Sequence, residues 1–463
     1  MSQRGRDGTW KAVLSEGPVG RTLARLTVPM VVGIVGMVAF NLTDTFFVGR
    51  LGTHELAALS FTFPVVMVLT RITLGLGIGA SAVISRAVGR GDAREVRRLT
   101  TDALSLGFLV AAVFIVAGYL TMDWIFELLG ADGGIRPMVR RYMRIWYGGM
   151  LFVVFPMIAN NAIRANGDTR TPALIMLNAV AVNIALDPLL IFGIGPFPRL
   201  ELEGAALATV LTRAVSLCLT FYIVYFRRRM ITFERVPLRD VLSSWGRILH
   251  IGVPAAATRV IVPLGIGVIT GIISVYGPDA VAAFGVATKV EFFAMAVIFA
   301  LASVLGPFTG QNIGAGKFGR VERGISLSNR FSLLWGLGMF VAVAGPARFI
   351  ASLFSSDPDV VAGITLYVRT ASAAWCLLAV FFTSSQVMNV LRRPYHAAAL
   401  AVVQTFVLTV PAAWLGSRIW GIRGIFAGIA VSYALSGAAA WLVLRAILRR
   451  LGREYGPNGP AAR

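Results

Sequence analysis

The run LTVPMVVGIVGMVAFNLTDTFFV, residues 26–48, decides the fold. It carries a single charged side chain, Asp44, in 23 residues. A helix of that length rises about 34 Å, enough to cross the hydrocarbon core of a bilayer. Eleven further runs read the same way: 57–82, 101–121, 142–163, 172–193, 203–225, 247–275, 281–308, 329–350, 362–389, 397–416 and 423–446. The sequence therefore predicts an all-α integral membrane protein with twelve transmembrane helices.

The whole-chain balance agrees. The 463 residues are 57% hydrophobic and 14% charged, against about a quarter charged for soluble domains. The net charge of +21 comes from short basic clusters between the apolar runs. Such clusters suit anionic lipid head groups, so no nucleic-acid partner is expected. With the N-terminus inside, cytoplasmic segments hold 29 of the 43 basic residues and outer segments nine. Both termini are thus expected in the cytoplasm, and the protein in the cell membrane. Residues 1–20 lack the apolar core of a cleavable signal peptide, and the stretch around Trp10 reads as an interfacial lead-in. Cys218 and Cys376 lie in apolar runs, and His54, His250 and His396 are scattered, so neither disulfide framework nor metal cluster is implied.

The two halves repeat. A shift of 225 residues aligns Pro29 with Pro254, Gly52 with Gly277, Gly89 with Gly314 and Gly91 with Gly316. Farther on, GAALATV from Gly204 parallels GIFAGIA from Gly424. Each copy holds six spans, so both insert the same way up, as parallel repeats around a central cavity. The expected organisation is an N-lobe over 1–226, a cytoplasmic linker over 227–246 and a C-lobe over 247–463.

Charges inside spans are costly and mark function. Asp44 in span 1 lies about 25 Å above the inner boundary, Asp187 in span 5 about 22 Å, and Thr209 in span 6 about 21 Å. Asn183 shares the helix face of Asp187, one turn away. Burial penalises the charged form of a carboxylate, so this set can exchange a proton; the same oxygens suit a sodium ion. The plainer alternative has Asp44 capping a helix and Asp187 opening the exit before Pro188. Pro29 either starts span 1 or gives it a hinge. In the second half, Arg259, Lys289, Glu291 and Arg369 form a candidate charge network, with Glu291 expected to pair with Arg259 or Arg369. Position 269, which matches Asp44, is Ile269. The glycines at 75, 77 and 79 lie inside a span, where small residues allow close packing, and GQNIGAGKF around Lys317 lacks phosphate-loop spacing. No nucleotide partner is expected.

Several segments together resemble the multidrug and toxic compound extrusion (MATE) family along almost the full chain. They are Val28-Pro29, DTFFVGRLGTHELAALS from Asp44, RANGDTRTP from Arg164, NIALDP from Asn183, IGVP from Ile251 and GPFTGQNIGAG from Gly306. The resemblance implies an exporter of small organic, often cationic compounds in exchange for H⁺ or Na⁺, with no cofactor. It is similar to the branch whose ion-responsive site is in the N-terminal lobe, which implies that role for Asp44, Asn183, Asp187 and Thr209, and a kink at Pro29. A related alternative is a flippase for lipid-linked saccharides, which usually has fourteen spans. An intramembrane enzyme would need a positioned nucleophile and base at membrane depth, and no such pair is found.

Overall fold

The structure is a computed structural model describing residues 10–131 and 134–455; the side chains at 41, 42, 44, 53, 454 and 455 lie outside that description. Asp44 therefore has a described backbone, but its side chain is among those left out.

The described residues fold into helices throughout: α1 (Val19–Gly49), α2 (Thr53–Arg90), α3 (Ala93–Leu128), α4 (Arg136–Gly148), α5 (Met150–Ala165), α6 (Arg170–Phe192), α7 (Glu201–Tyr222) and α8 (Leu238–Ser274). The second half continues with α9 (Pro278–Gly314), α10 (Phe318–Ala344), α11 (Ala347–Ser352), α12 (Pro358–Ala371), α13 (Trp375–Val390), α14 (Pro394–Val402) and α15 (Val410–Tyr455). The short α4 and α5 together make one crossing, bent by 47°. The bend falls at Gly148-Gly149, where a Cβ on Gly149 would stand 2.4 Å from Val210 of α7. Residues 394–453 run as 60 helical residues, far longer than a bilayer needs. They break at Trp420 and Gly421, where Gly421 takes φ 61°, and so supply two crossings. With that break and the bent pair, the helices make the twelve crossings expected.

The repeat is visible in backbone geometry. Helices α2 and α9 begin at 53 and 278, and α3 and α10 at 93 and 318, the same 225-residue shift in each case. Between them Gly91 (φ 77°) and Gly316 (φ 68°) both take the left-handed conformation that a residue with a Cβ resists. Gly204 and Gly424 also match: a Cβ on either would lie 2.3 and 2.0 Å from a carbonyl oxygen of the preceding crossing, Leu190 and Gly416 respectively.

The chain forms two compact units, one of residues 1–13 and 28–256, the other of 14–27 and 257–463. Their limits differ from the lobe limits expected from sequence. The linker and the first turns of α8 belong with the first unit, where Trp245 donates to the Asp102 carbonyl (2.9 Å) and Arg247 reaches Glu95. Residues 14–27 belong with the second, where Gln311 Oε1 accepts from the Leu14 N–H (3.0 Å) and Arg320 donates to the Gly17 carbonyl (2.7 Å). Trp10 is not an interfacial lead-in. It is buried in the first unit, its indole N–H donating to Asn166 and its backbone N–H to the Gly91 carbonyl. Pro29 is the eleventh residue of α1 and thus interior to it, one residue past the change of unit between Thr27 and Val28.

Candidate functional site

The part of α1 from Val28 onward, with α6 and α7 of the same first unit, positions the polar residues, and glycines fix how they meet. On α1, Gly33 faces Ala173 and Met176 of α6, and Gly36 faces Leu177 and Val180. The two helices therefore run parallel, each α1 residue opposite one about 142 positions later. Carried one and two turns farther, that offset sets Phe40 level with Val182, and the backbone of Asp44 level with Leu186 and Asp187. Helix α7 returns antiparallel to α6. Its Gly204 rests on Leu190 and Ile191, which brings Thr209 level with Ala185 and Leu186, between Asn183 and Asp187. The predicted positions thus converge on one level of one helical trio.

Asn183 and Asp187 are fully buried, and Thr209 is 9% exposed. The Asn183 amide donates to Asp187 Oδ1 at 2.9 Å. This accounts for the spacing of four, since a donor one turn before it satisfies one oxygen of a carboxylate that cannot reach water. Asn183 Oδ1 is also buried and has no hydrogen-bond partner among the described residues. An acceptor left open beside a buried carboxylate is the environment that a proton or a small hard cation fills. No group of three or more His, Cys, Asp or Glu gathers among the described residues.

One residue that the sequence reading passed over joins this trio. Arg213 lies one turn beyond Thr209 on α7, and its guanidinium carbon stands 5.1 Å from the ring centre of Phe40. Phe40 is one turn before Asp44 on α1. The spacing of four from each predicted residue was the available signal.

The second unit treats its charges differently. Glu291 accepts from Tyr367 Oη (2.8 Å), Trp375 Nε1 (3.0 Å) and Tyr433 Oη (3.1 Å). It forms no ion pair among the described residues, which corrects the expected pairing with Arg259 or Arg369. Three neutral donors satisfy the carboxylate without the cost of desolvating a second ion. Arg369 donates instead to the Ala344 carbonyl (3.2 Å), Lys289 is exposed, and Arg259 lies half-buried on α8. These four residues do not assemble into one network.

Comparison with known proteins follows the same outline. The MatE family model matches residues 29–189 and 254–415. The chain is 37% identical to a protein of Shewanella oneidensis named FAD transporter, over 94% of this chain and 96% of that one. It is 25% identical to the multidrug export protein MepA of Staphylococcus aureus, over 94% and 96%. The crystal structure of the Vibrio cholerae MATE transporter VcmN in its bent form superposes with a TM-score of 0.89 at 28% identity, covering 94% of this chain and 98% of VcmN.

Proposed function

This chain belongs to the MatE family, and on that premise we propose that it is a secondary active exporter that exchanges external H⁺ or Na⁺ for cytoplasmic small organic molecules by alternating access. The observation that carries this reading is the buried Asn183–Asp187 pair on a largely apolar helix, level with Thr209 and the Asp44 backbone. A carboxylate kept at that depth is costly, and gaining or losing one positive charge there changes its electrostatic energy more than at any surface position. In this reading Asp44, Asn183, Asp187 and Thr209 take up the coupling ion. Pro29, interior to α1 and unable to donate a backbone hydrogen bond, gives the helix its place to bend in response.

Both termini are placed in the cytoplasm by the bias of basic residues, with the protein in the cell membrane. Relatives named for multidrug export and for FAD support a small organic substrate. The twelve crossings favour this reading over a fourteen-span flippase.

The test is dye efflux from reconstituted vesicles with a proton gradient and a sodium gradient imposed separately. Efflux driven by either, and lost in Asp44→Asn and Asp187→Asn, is the expected result. Undiminished gradient-driven efflux in both variants would reject the coupling site.

A further inference from the structure

Arg213 is the membrane-depth cation of the first unit whose surroundings say most. It lies about 15 Å below the outer end of its span, near the middle of a ~30 Å core. Several basic side chains of this unit meet carboxylates. Arg98 meets Asp102 and Asp240, Arg140 meets Asp123, and Arg141 meets Glu203 of α7 itself. Arg213 makes no hydrogen bond or ion pair among the described residues; its one partner there is the face of Phe40. It is half-buried, enclosed by helices but reachable by a group the size of water.

A guanidinium at that depth is expensive unless its charge is used. Stacking on Phe40 holds the group in place and leaves its fork of N–H donors and its second face open. That fork matches a carboxylate or phosphate with two parallel hydrogen bonds, and the open face stacks on a planar ring. We propose that Arg213, held on Phe40, is the point at which this protein recognises the anionic group, carboxylate or phosphate, of a planar organic substrate. The inference rests on the transport reading above and names the substrate class for the same helical trio. It also supplies a route for release. Phe40 lies eleven residues past Pro29 on α1, so a bend at Pro29 withdraws the ring on which the guanidinium is stacked, whatever the charge of Asp187.

Riboflavin and flavin mononucleotide differ by one phosphate and serve as paired probes, with ethidium as the cationic control. Binding to the purified full chain is read by flavin fluorescence in detergent without anionic lipid. The wild type should bind the mononucleotide at least about tenfold more tightly than riboflavin. Arg213→Gln should bring that ratio to near one by weakening the mononucleotide alone, and Arg213→Lys should keep part of it. A wild-type ratio near one overturns the proposal, as does an equal loss of both flavins in Arg213→Gln. Competition by phosphatidylglycerol but not by phosphatidylcholine would assign the point to a lipid head group and also overturn it. The wild-type ratio and Arg213→Lys decide the matter if Arg213→Gln does not fold. In reconstituted vesicles, gradient-driven movement of ethidium with no discrimination between the flavins defeats this inference only. No driven movement of any of the three defeats the transport reading itself.

Discussion

Gly204 sets the distance between α6 and α7, and Gly204→Ala should move Thr209 away from Asp187. The added Cβ would stand 2.3 Å from the Leu190 oxygen, 2.6 Å from its carbonyl carbon and 2.9 Å from the Ile191 nitrogen. All three are backbone atoms of a helix and cannot rotate aside. Ordinary contact begins near 3.4 Å, so the helices must part locally by about 1 Å. Overpacking of this kind costs roughly 1–3 kcal/mol. Thr209 is five residues along α7, about 7.5 Å from the wedge, so most of the displacement reaches it.

The expected result is a thermal midpoint lowered by several degrees and gradient-driven efflux reduced about tenfold or more, with the protein still inserted. Gly246→Ala is the control, because nothing lies within 4 Å of its Cβ position and alanine favours the helix. Both are measured by thermal unfolding in detergent and by dye efflux from vesicles. If Gly204→Ala matches Gly246→Ala in both assays, the close approach of α6 and α7 does not govern the site.

Asp187→Asn keeps the size of the side chain and removes its charge, so the protein should reach the membrane and bind substrate while gradient-driven efflux is lost, as vesicle transport would show. Pro29→Ala restores the backbone hydrogen bond that proline lacks inside α1; efflux should fall by roughly tenfold with thermal stability equal to or above that of the wild type. Tyr367→Phe and Tyr433→Phe each remove one donor from Glu291, and each should cost about 1.5–3 kcal/mol in unfolding of the purified protein. A Glu291→Gln background should shrink both losses, because the donors then meet a neutral acceptor.

The residues show why some of this was legible in the sequence and some was not. Helix rise is fixed, so counting from span ends was enough to put Asp187 and Thr209 at one depth, and the glycines at 91 and 316 declared the repeat because a left-handed turn tolerates little else. The contact between Arg213 and Phe40 depends on how far neighbouring helices slide past each other. That is set by where Gly33, Gly36 and Gly204 let backbones approach, which a single-helix count does not contain. Glu291 misled for a different reason. Opposite charges inside other spans suggested ion pairs with Arg259 or Arg369, whereas tyrosine and tryptophan from other crossings satisfied the carboxylate more cheaply. Trp10 precedes the first span and looked interfacial, yet it packs in the apolar core of the first unit with its indole N–H donating to Asn166 and its backbone N–H to the Gly91 carbonyl.

The repeat also says why the proposed coupling site sits in one unit. Under the 225-residue shift Asp44 corresponds to Ile269, and under the shift that joins Gly204 to Gly424, Thr209 corresponds to Ile429. Ile269 is 4% exposed and Ile429 1%, and both belong to the apolar core of the second unit. In the first copy these two positions carry oxygen-bearing side chains; in the second they are filled with hydrocarbon. Arg213 corresponds in the same way to Tyr433, which donates to Glu291. A position that carries a cation stacked on Phe40 in the first unit thus carries a neutral hydroxyl, donating to Glu291, in the second. Filled with isoleucine, the second copy gives up any charge change at the positions of Asp44 and Thr209 and gains packing there instead.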